Sequence, residues 1–155
     1  MKTMDEILDY YQSIKVTDFD NFAAEVLLIY LDEDHLKQFL GSDAPLVSWQ
    51  PQELSDARIL QDMKGYMKFA WGKVADHRGI SASRSVTKMA AWLWLLGDEE
   101  TLSFVRDESH YPYYGAPILA KICEKYGLPV PDDFWIANMI KGRPCSDACE
   151  EGCIA

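Results

Sequence analysis

Apolar residues recur at helical spacing along most of the chain, and short polar or glycine-containing segments interrupt them. Thr3 and Glu6 form a capping-box pair before the first such run, because each side chain can bind the other residue's free backbone N–H group. A later run extends to Gly41, where a helix can stop, and contains a predicted break at 32–35 ("DEDH"). The first third of the chain is therefore predicted to be helical, and a loop at 41–52 follows.

The next predicted element is a long helix with one apolar face. It is expected to begin with Pro51 in its first turn, where the missing proline N–H does no harm, and to end near Asp76. Gly65 and Gly72 lie inside it, and each costs about 1 kcal/mol relative to alanine. We expect these glycines to mark a close helix crossing or a kink.

A second long helix is predicted to end at Gly97, with Ser81 or Ser83 as its N-terminal cap. Residues 86–96 are apolar on most sides, and a helix of this kind is normally central to a core. Further helix boundaries are predicted at Asp98, Pro117, Gly127 and Asp132.

The predicted fold class is all-α, since no stretch alternates long enough to indicate a strand. We expect a compact single-domain bundle of about seven helices at 1–142 and a cysteine-rich tail at 143–155. The chain has 155 residues, of which 48% are hydrophobic, enough to bury a core. No apolar run approaches the roughly 20 residues of a membrane span. Acidic residues near the start argue against a secretory signal, so we expect a cytoplasmic protein without membrane contact.

Charge is unevenly distributed in this acidic chain, whose formal net charge is −10. Residues 61–97 carry six basic and two acidic side chains, whereas the segments before and after them are both acidic. An acidic protein is poorly suited to nonspecific binding of a polyanion. The basic segment is therefore the first place to look for an anionic partner.

The basic segment also contains a local motif. Ala75 and Gly79 have the spacing of the small residue and the turn residue in a helix-turn-helix unit. The following "GISASRSVTKM" (79–89) resembles the reading-helix segment of helix-turn-helix and winged-helix regulators. The resemblance implies a helix-turn-helix-like hairpin at 51–97 whose second helix starts in the DNA major groove, with Arg84 at a guanine edge. Candidate nucleic-acid or anion-binding residues are Lys64, Lys68, Lys73, His77, Arg78, Ser83, Arg84 and Lys88.

Two other interpretations of the charges stay open. Residues 51–97 can form a plain helical hairpin whose basic side chains are solvated or pair with the acidic N-terminal helices. The acidic faces at 18–34 and 98–108 can instead bind a basic partner surface, which predicts a protein-binding inhibitor or adaptor. The partner would then be another protein. A homo-oligomer is a separate open alternative, in which the apolar helix at 84–96 is buried across a dimer instead of within one chain.

The C-terminal tail contains three cysteines, Cys145, Cys149 and Cys153, whereas Cys123 lies in a helical pattern and is predicted to be a buried thiol. A helical tail would separate the outer two by about 12 Å along its axis. Because Zn–S bonds are about 2.3 Å long, a zinc site needs a non-helical tail and a fourth ligand. Zinc binding, reversible disulfide formation and an unstructured end are the alternatives. The first two predict a metal- or redox-responsive protein.

No complete catalytic motif is present, so we expect a non-enzymatic binding or regulatory protein. His35 lies beside Asp32 and Asp34, a setting more typical of a solvated surface histidine than of a catalytic or metal site. The tyrosines of the loop at 109–117 are expected to pack at a helix junction. A catalytic site assembled from distant residues leaves no such motif.

Overall fold

The chain folds into α-helices throughout the residues that the computed structural model describes, namely 2–13, 25–40, 51–76, 79–106 and 115–141. Of residues 39–40 and 79–84 it describes the backbone alone. The helices are α1 (Met4–Ser13), α2 (Glu33–Leu40), α3 (Asp56–Ala75), α4 (Gly79–Leu96), α5 (Glu99–Arg106), α6 (Ala116–Tyr126) and α7 (Phe134–Ile140), and residues 25–28 are also helical. No strand occurs in these ranges. The predicted all-α bundle is confirmed.

Helix α4 is the centre of the bundle, as its sequence predicts. Every side chain from 85 to 95 is buried except that of Lys88, which is half-buried. It packs against α3 and α5, which precede and follow it in the chain. The α1 helix also reaches it, since the Tyr10 ring stacks on Trp94 with centroids 4.2 Å apart. A helix that is apolar on most sides is stable only when neighbours cover all of them.

Several predicted helix ends are confirmed by their hydrogen bonds or backbone angles. Thr3 and Glu6 form the expected reciprocal cap, with N···O distances of 3.1 and 3.2 Å. Asp98 caps α5 by accepting from the Thr101 N–H at 3.2 Å. Gly97 and Gly127 follow α4 and α6 with φ angles of 78° and 66°, which glycine adopts without strain. The predicted break at 32–35 is also present, since α2 begins anew at Glu33.

The predicted start of α3 is wrong by several residues. The helix begins at Asp56, and Ser55 is its cap, with an extended backbone and a hydroxyl that accepts from the Arg58 N–H at 3.2 Å. Pro51 precedes the helix because a serine cap, which satisfies a free N–H group, is available four residues later.

Two further predicted caps are displaced. The cap of α7 is Asp133 instead of Asp132, since Asp133 has the extended backbone and accepts from the Ile136 N–H at 3.0 Å. Helix α4 begins at Gly79, so Ser81 and Ser83 lie within its first turns.

The prediction for the two glycines of α3 is wrong as well. Both are exposed, and apart from the adjoining residues and the helix's own backbone a methyl group added at Gly65 or Gly72 would meet no atom within 4 Å. They lie opposite the buried side of the helix, which carries Met63, Met67 and Ala70. Neither glycine therefore marks a close helix crossing.

A hydrogen-bonded cluster connects the segment at 25–31 to α3 and α4. The buried Tyr30 hydroxyl donates to the Asp62 carboxylate at 2.7 Å and accepts from the Trp92 indole N–H at 2.8 Å. Arg58 pairs with the same carboxylate at 3.1 Å. Burial, together with the Asp62 hydrogen bond, raises the pKa of Tyr30, so this phenol stays neutral.

Candidate functional site

The outer face of α3 is the surface of the basic segment on which no described neighbour packs. We define it by the exposed Lys64, Gly65, Lys68, Phe69 and Gly72, with the half-buried Lys73 at its edge. The opposite side of the helix is in the core. The outer face is therefore held in place by packing, while its own side chains remain accessible.

Phe69 is an exposed aromatic residue in the middle of this face, with 53% of its surface accessible. On one flank the ring contacts Tyr66, with centroids 5.3 Å apart, and the Lys73 Nζ lies 5.0 Å from its centroid. On the other flank its helix neighbours are Gly65 and Gly72, at four residues before and three after. Because glycine has no side chain, this flank of Phe69 is left uncovered.

The middle of α3 is its positively charged part. Asp62 is paired with Arg58 at 3.1 Å, whereas Lys64 and Lys68 have no ion pair with any described residue. The remaining acids of the helix region, Asp56 and Asp76, lie at its two ends.

Lys88 belongs to a different, internal set of contacts. Its Nζ lies 3.3 Å from the Glu25 carboxylate and 5.6 Å from the Tyr66 ring centroid. This lysine is therefore an internal partner of the acidic N-terminal region, as the plain helical hairpin predicts.

The hairpin of α3 and α4 differs from a helix-turn-helix unit at the residues that carried the resemblance. Ala75 is exposed instead of lying between the two helices, and Gly79 is already helical. Of the candidate reading-helix residues, Ser83 and Arg84 are described by backbone alone, within α4. His77 and Arg78 lie outside the described residues. Since side chains 85–95 form the core, only the first turns of α4 could approach a groove.

The acidic faces are also only partly as predicted. Asp98 is 7% exposed and is bound by the Lys125 Nζ at 2.6 Å and the Tyr126 hydroxyl at 2.7 Å. Burial raises its pKa, but these hydrogen bonds and those from Thr101 outweigh burial and lower the pKa to about 2. Asp98 is therefore a structural carboxylate and does not belong to an accessible acidic face.

His35 joins α1 to α2 and is not the freely solvated histidine that we expected. Its Nδ1 lies 2.7 Å from Asp32, and its Nε2 lies 3.3 Å from the exposed Asp5 of α1. The hydrogen bond to Asp32 raises the pKa of His35, and both carboxylates add to the effect. Glu6, Asp9, Glu33 and Asp34 are also exposed on these two helices, so α1 and α2 carry a set of accessible acidic side chains.

The cysteine prediction is tested only at Cys123. This thiol is buried, as expected, and burial raises its pKa, which makes it a poor nucleophile. Cys145, Cys149 and Cys153 lie outside the described residues, so zinc binding by the tail stays a prediction that metal analysis of the purified protein can test. Within the described ranges, no three His, Cys, Asp or Glu side chains are grouped to hold a metal.

The exposure of the Phe69 ring was not predicted from the sequence, although the sequence contains a pattern that indicates it. Phe69 falls outside the apolar register set by Met67 and Ala70, and a large aromatic residue out of register on an otherwise amphipathic helix predicts an exposed ring.

None of the described helices is both long enough and apolar enough to cross a membrane. No protein-family model, curated protein or solved structure matches this chain.

Proposed function

We propose that this chain is a non-enzymatic binding protein that contacts nucleic acid through the outer face of α3. The observation that carries the proposal is the pair of exposed lysines, Lys64 and Lys68, which no described acid neutralises. Lys37, Lys88 and Lys125, by contrast, each pair with an acid in this chain of net charge −10. A positive surface that stays uncompensated is suited to phosphate groups.

The negative net charge of the chain weakens anion binding at the outer face of α3 less than a net charge of −10 implies. The Debye length is about 10 Å at 0.1 M salt, so exposed charges farther away than this are largely screened. Within α3 itself, Asp62 is already paired with Arg58 and Asp56 lies at the start of the helix. The local balance along the middle of α3 therefore governs the contact.

The proposed residues differ in part from those that the helix-turn-helix resemblance implies. Lys64, Lys68 and Lys73 are assigned to phosphate contacts. Lys88 is not, since it pairs with Glu25. The roles predicted for His77, Arg78, Ser83 and Arg84 remain hypotheses about the start of α4.

The proposal is tested by fluorescence anisotropy with labelled single-stranded and duplex oligonucleotides at about 0.01 M and about 0.15 M salt. We expect binding that weakens with salt and that the double variant Lys64→Glu with Lys68→Glu abolishes. Circular dichroism should show unchanged helix content, because both side chains are exposed.

The matched control is Lys121→Glu with Lys141→Glu, which changes the net charge equally, on α6 and after α7, at lysines that have no ion pair with a described residue. This control should keep most of the affinity. Equal losses in both double variants would mean that net charge alone governs binding, and no binding of the wild type at low salt would refute the proposal.

A second candidate function is a protein-binding inhibitor or adaptor that uses the exposed acidic side chains of α1 and α2. The observation in its favour is the contact between Asp5 of α1 and His35 of α2, at 3.3 Å, which holds the acidic side chains of both helices together. A basic protein partner would bind through Asp5, Glu33 and their neighbours. Its affinity would fall in Asp5→Lys with Glu33→Lys and stay unchanged in the α3 double variant.

A further inference from the structure

We infer that the outer face of α3 prefers single-stranded nucleic acid and stacks an unpaired base on Phe69. The inference rests on the proposed function and adds the class of nucleic acid and the residue that selects it. Lysines alone do not select one class, since every nucleic acid carries phosphates. The aromatic ring among them is what distinguishes this face.

The position of Phe69 leaves room for a stacked base. Tyr66 and Lys73 support the ring from one flank. The other flank borders Gly65 and Gly72, where an added methyl group would have no atom within 4 Å apart from the adjoining residues and the helix backbone. A base can therefore approach the ring without displacing a side chain of α3.

The lysines are placed to hold the backbone of such a strand. Lys64 and Lys68 precede the ring by five residues and one residue, so they lie about 6 Å apart along the helix axis, from a rise of 1.5 Å per residue. Single-strand binding proteins combine cations that follow the backbone with aromatic rings on which bases stack. The outer face of α3 has both parts on one helix.

A duplex would use this face poorly. Its bases are stacked on one another, so Phe69 would find no free base surface and would stay exposed. A duplex reader also needs an element that enters the major groove, and on α4 the side chains from 85 to 95 are occupied by the core.

Phe134 provides a control within the same molecule. It is 70% exposed at the start of α7 and contacts the edge of Trp135, with centroids 5.6 Å apart. Its neighbours in sequence are Asp132 and Asp133 instead of lysines. An exposed phenylalanine in acidic surroundings should not contribute to binding of a polyanion.

The experiment compares affinities of the full chain for a short labelled single strand and for the same strand annealed to its complement. We expect tighter binding of the single strand. Phe69→Ala should weaken it by about 5- to 160-fold, the range for loss of one stacked base. Phe69→Trp should retain the affinity and, on binding, show quenched tryptophan emission beyond that of the wild type. Phe134→Ala should leave the affinity unchanged.

Several results would overturn the inference. If the duplex binds as tightly as the single strand, or Phe69→Ala has no effect, the proposed function survives but the stacking role is lost. If a poly-glutamate peptide competes as well as the single strand, the face recognises charge alone, and an acidic protein becomes the better partner. If neither oligonucleotide binds, both proposals fail.

Discussion

Helices α3 and α4 follow each other in the chain and pack together, but they use their surfaces differently. From 85 to 95, α4 buries every side chain except the half-buried Lys88. The longer α3 buries one side and leaves the other with two lysines, two glycines and an exposed phenylalanine. Packing accounts for the residues of α4, whereas it gives no reason for the outward residues of α3.

This difference separates positions required for folding from positions available for function. A glycine inside a helix lowers its stability, and an exposed phenylalanine gains little from folding. On this face of α3 no described side chain compensates for the two glycines, and Phe69 has only its lateral contacts with Tyr66 and Lys73. Such a combination is expected where a partner, and not the core, determines the residues.

The largest predicted difference between the two helices is in the free energy of unfolding. Leu93 of α4 is fully buried, so Leu93→Ala should destabilise the protein by about 2–5 kcal/mol through lost burial and a cavity. Phe69→Ala on α3 should change stability by only about 0.5 kcal/mol, because much of the ring is exposed. Urea denaturation of both variants measures this, and a loss from Phe69→Ala comparable to that from Leu93→Ala would contradict the comparison.

A smaller loss of stability is expected from a change at Tyr30, whose hydroxyl connects α3 to α4. Tyr30→Phe removes the hydroxyl that connects Asp62 to the Trp92 indole. It should destabilise the protein by about 1–3 kcal/mol, since a buried N–H group loses its acceptor. Thermal unfolding with circular dichroism checks the value. Tyr66→Phe is the matched control and should have a smaller effect, because the Tyr66 hydroxyl lies at the longer distance of 3.4 Å from the Ser85 hydroxyl.

Replacing the exposed glycines of α3 should raise the stability of the protein instead of lowering it. Gly65→Ala and Gly72→Ala should each stabilise the protein, by up to about 1 kcal/mol, because alanine favours helix and the space is open. Gly97→Ala provides the contrast, since Gly97 has a φ of +78° that alanine adopts only with strain. Destabilisation by Gly65→Ala would mean that α3 has a neighbour on its outer face.

The smallest predicted effect is a pH dependence of stability, which comes from the His35 contact between α1 and α2. Asp32 and Asp5 raise the pKa of His35 in the folded state, so the protonated form stabilises the fold below the unfolded pKa. This contribution should be lost as the pH rises through the folded pKa. Histidine NMR titration and unfolding measured from pH 5 to 9 test it. The His35→Asn variant should lack this part of the pH dependence.

The sequence was sufficient to predict the features that depend on local chemistry. The Thr3–Glu6 box, the Asp98 cap and the central position of α4 each follow from a few neighbouring residues or from one helical pattern. Contacts between distant residues could not be predicted in this way. Tyr30 meets Trp92 across 62 positions, and nothing in either local sequence indicates the partner.

The site was predicted only in part for a related reason. Lys64 and Lys68 were found from charge, but charge does not tell an exposed lysine from a paired one such as Lys88. The glycines were assigned to a helix crossing from their residue type alone, although the apolar face of α3 lies on the opposite side of the helix. Once that side is known, the same glycines belong to the outer face.

The most direct test of a binding role for the outer face of α3 is the affinity of Gly65→Gln with Gly72→Gln for a labelled single strand, measured on protein of known stability. Glutamine favours helix over glycine and adds no charge, so the fold should be at least as stable as the wild type. Its side chains should cover the open flank of Phe69 and weaken binding several-fold. Unchanged affinity in this stable variant would contradict the account.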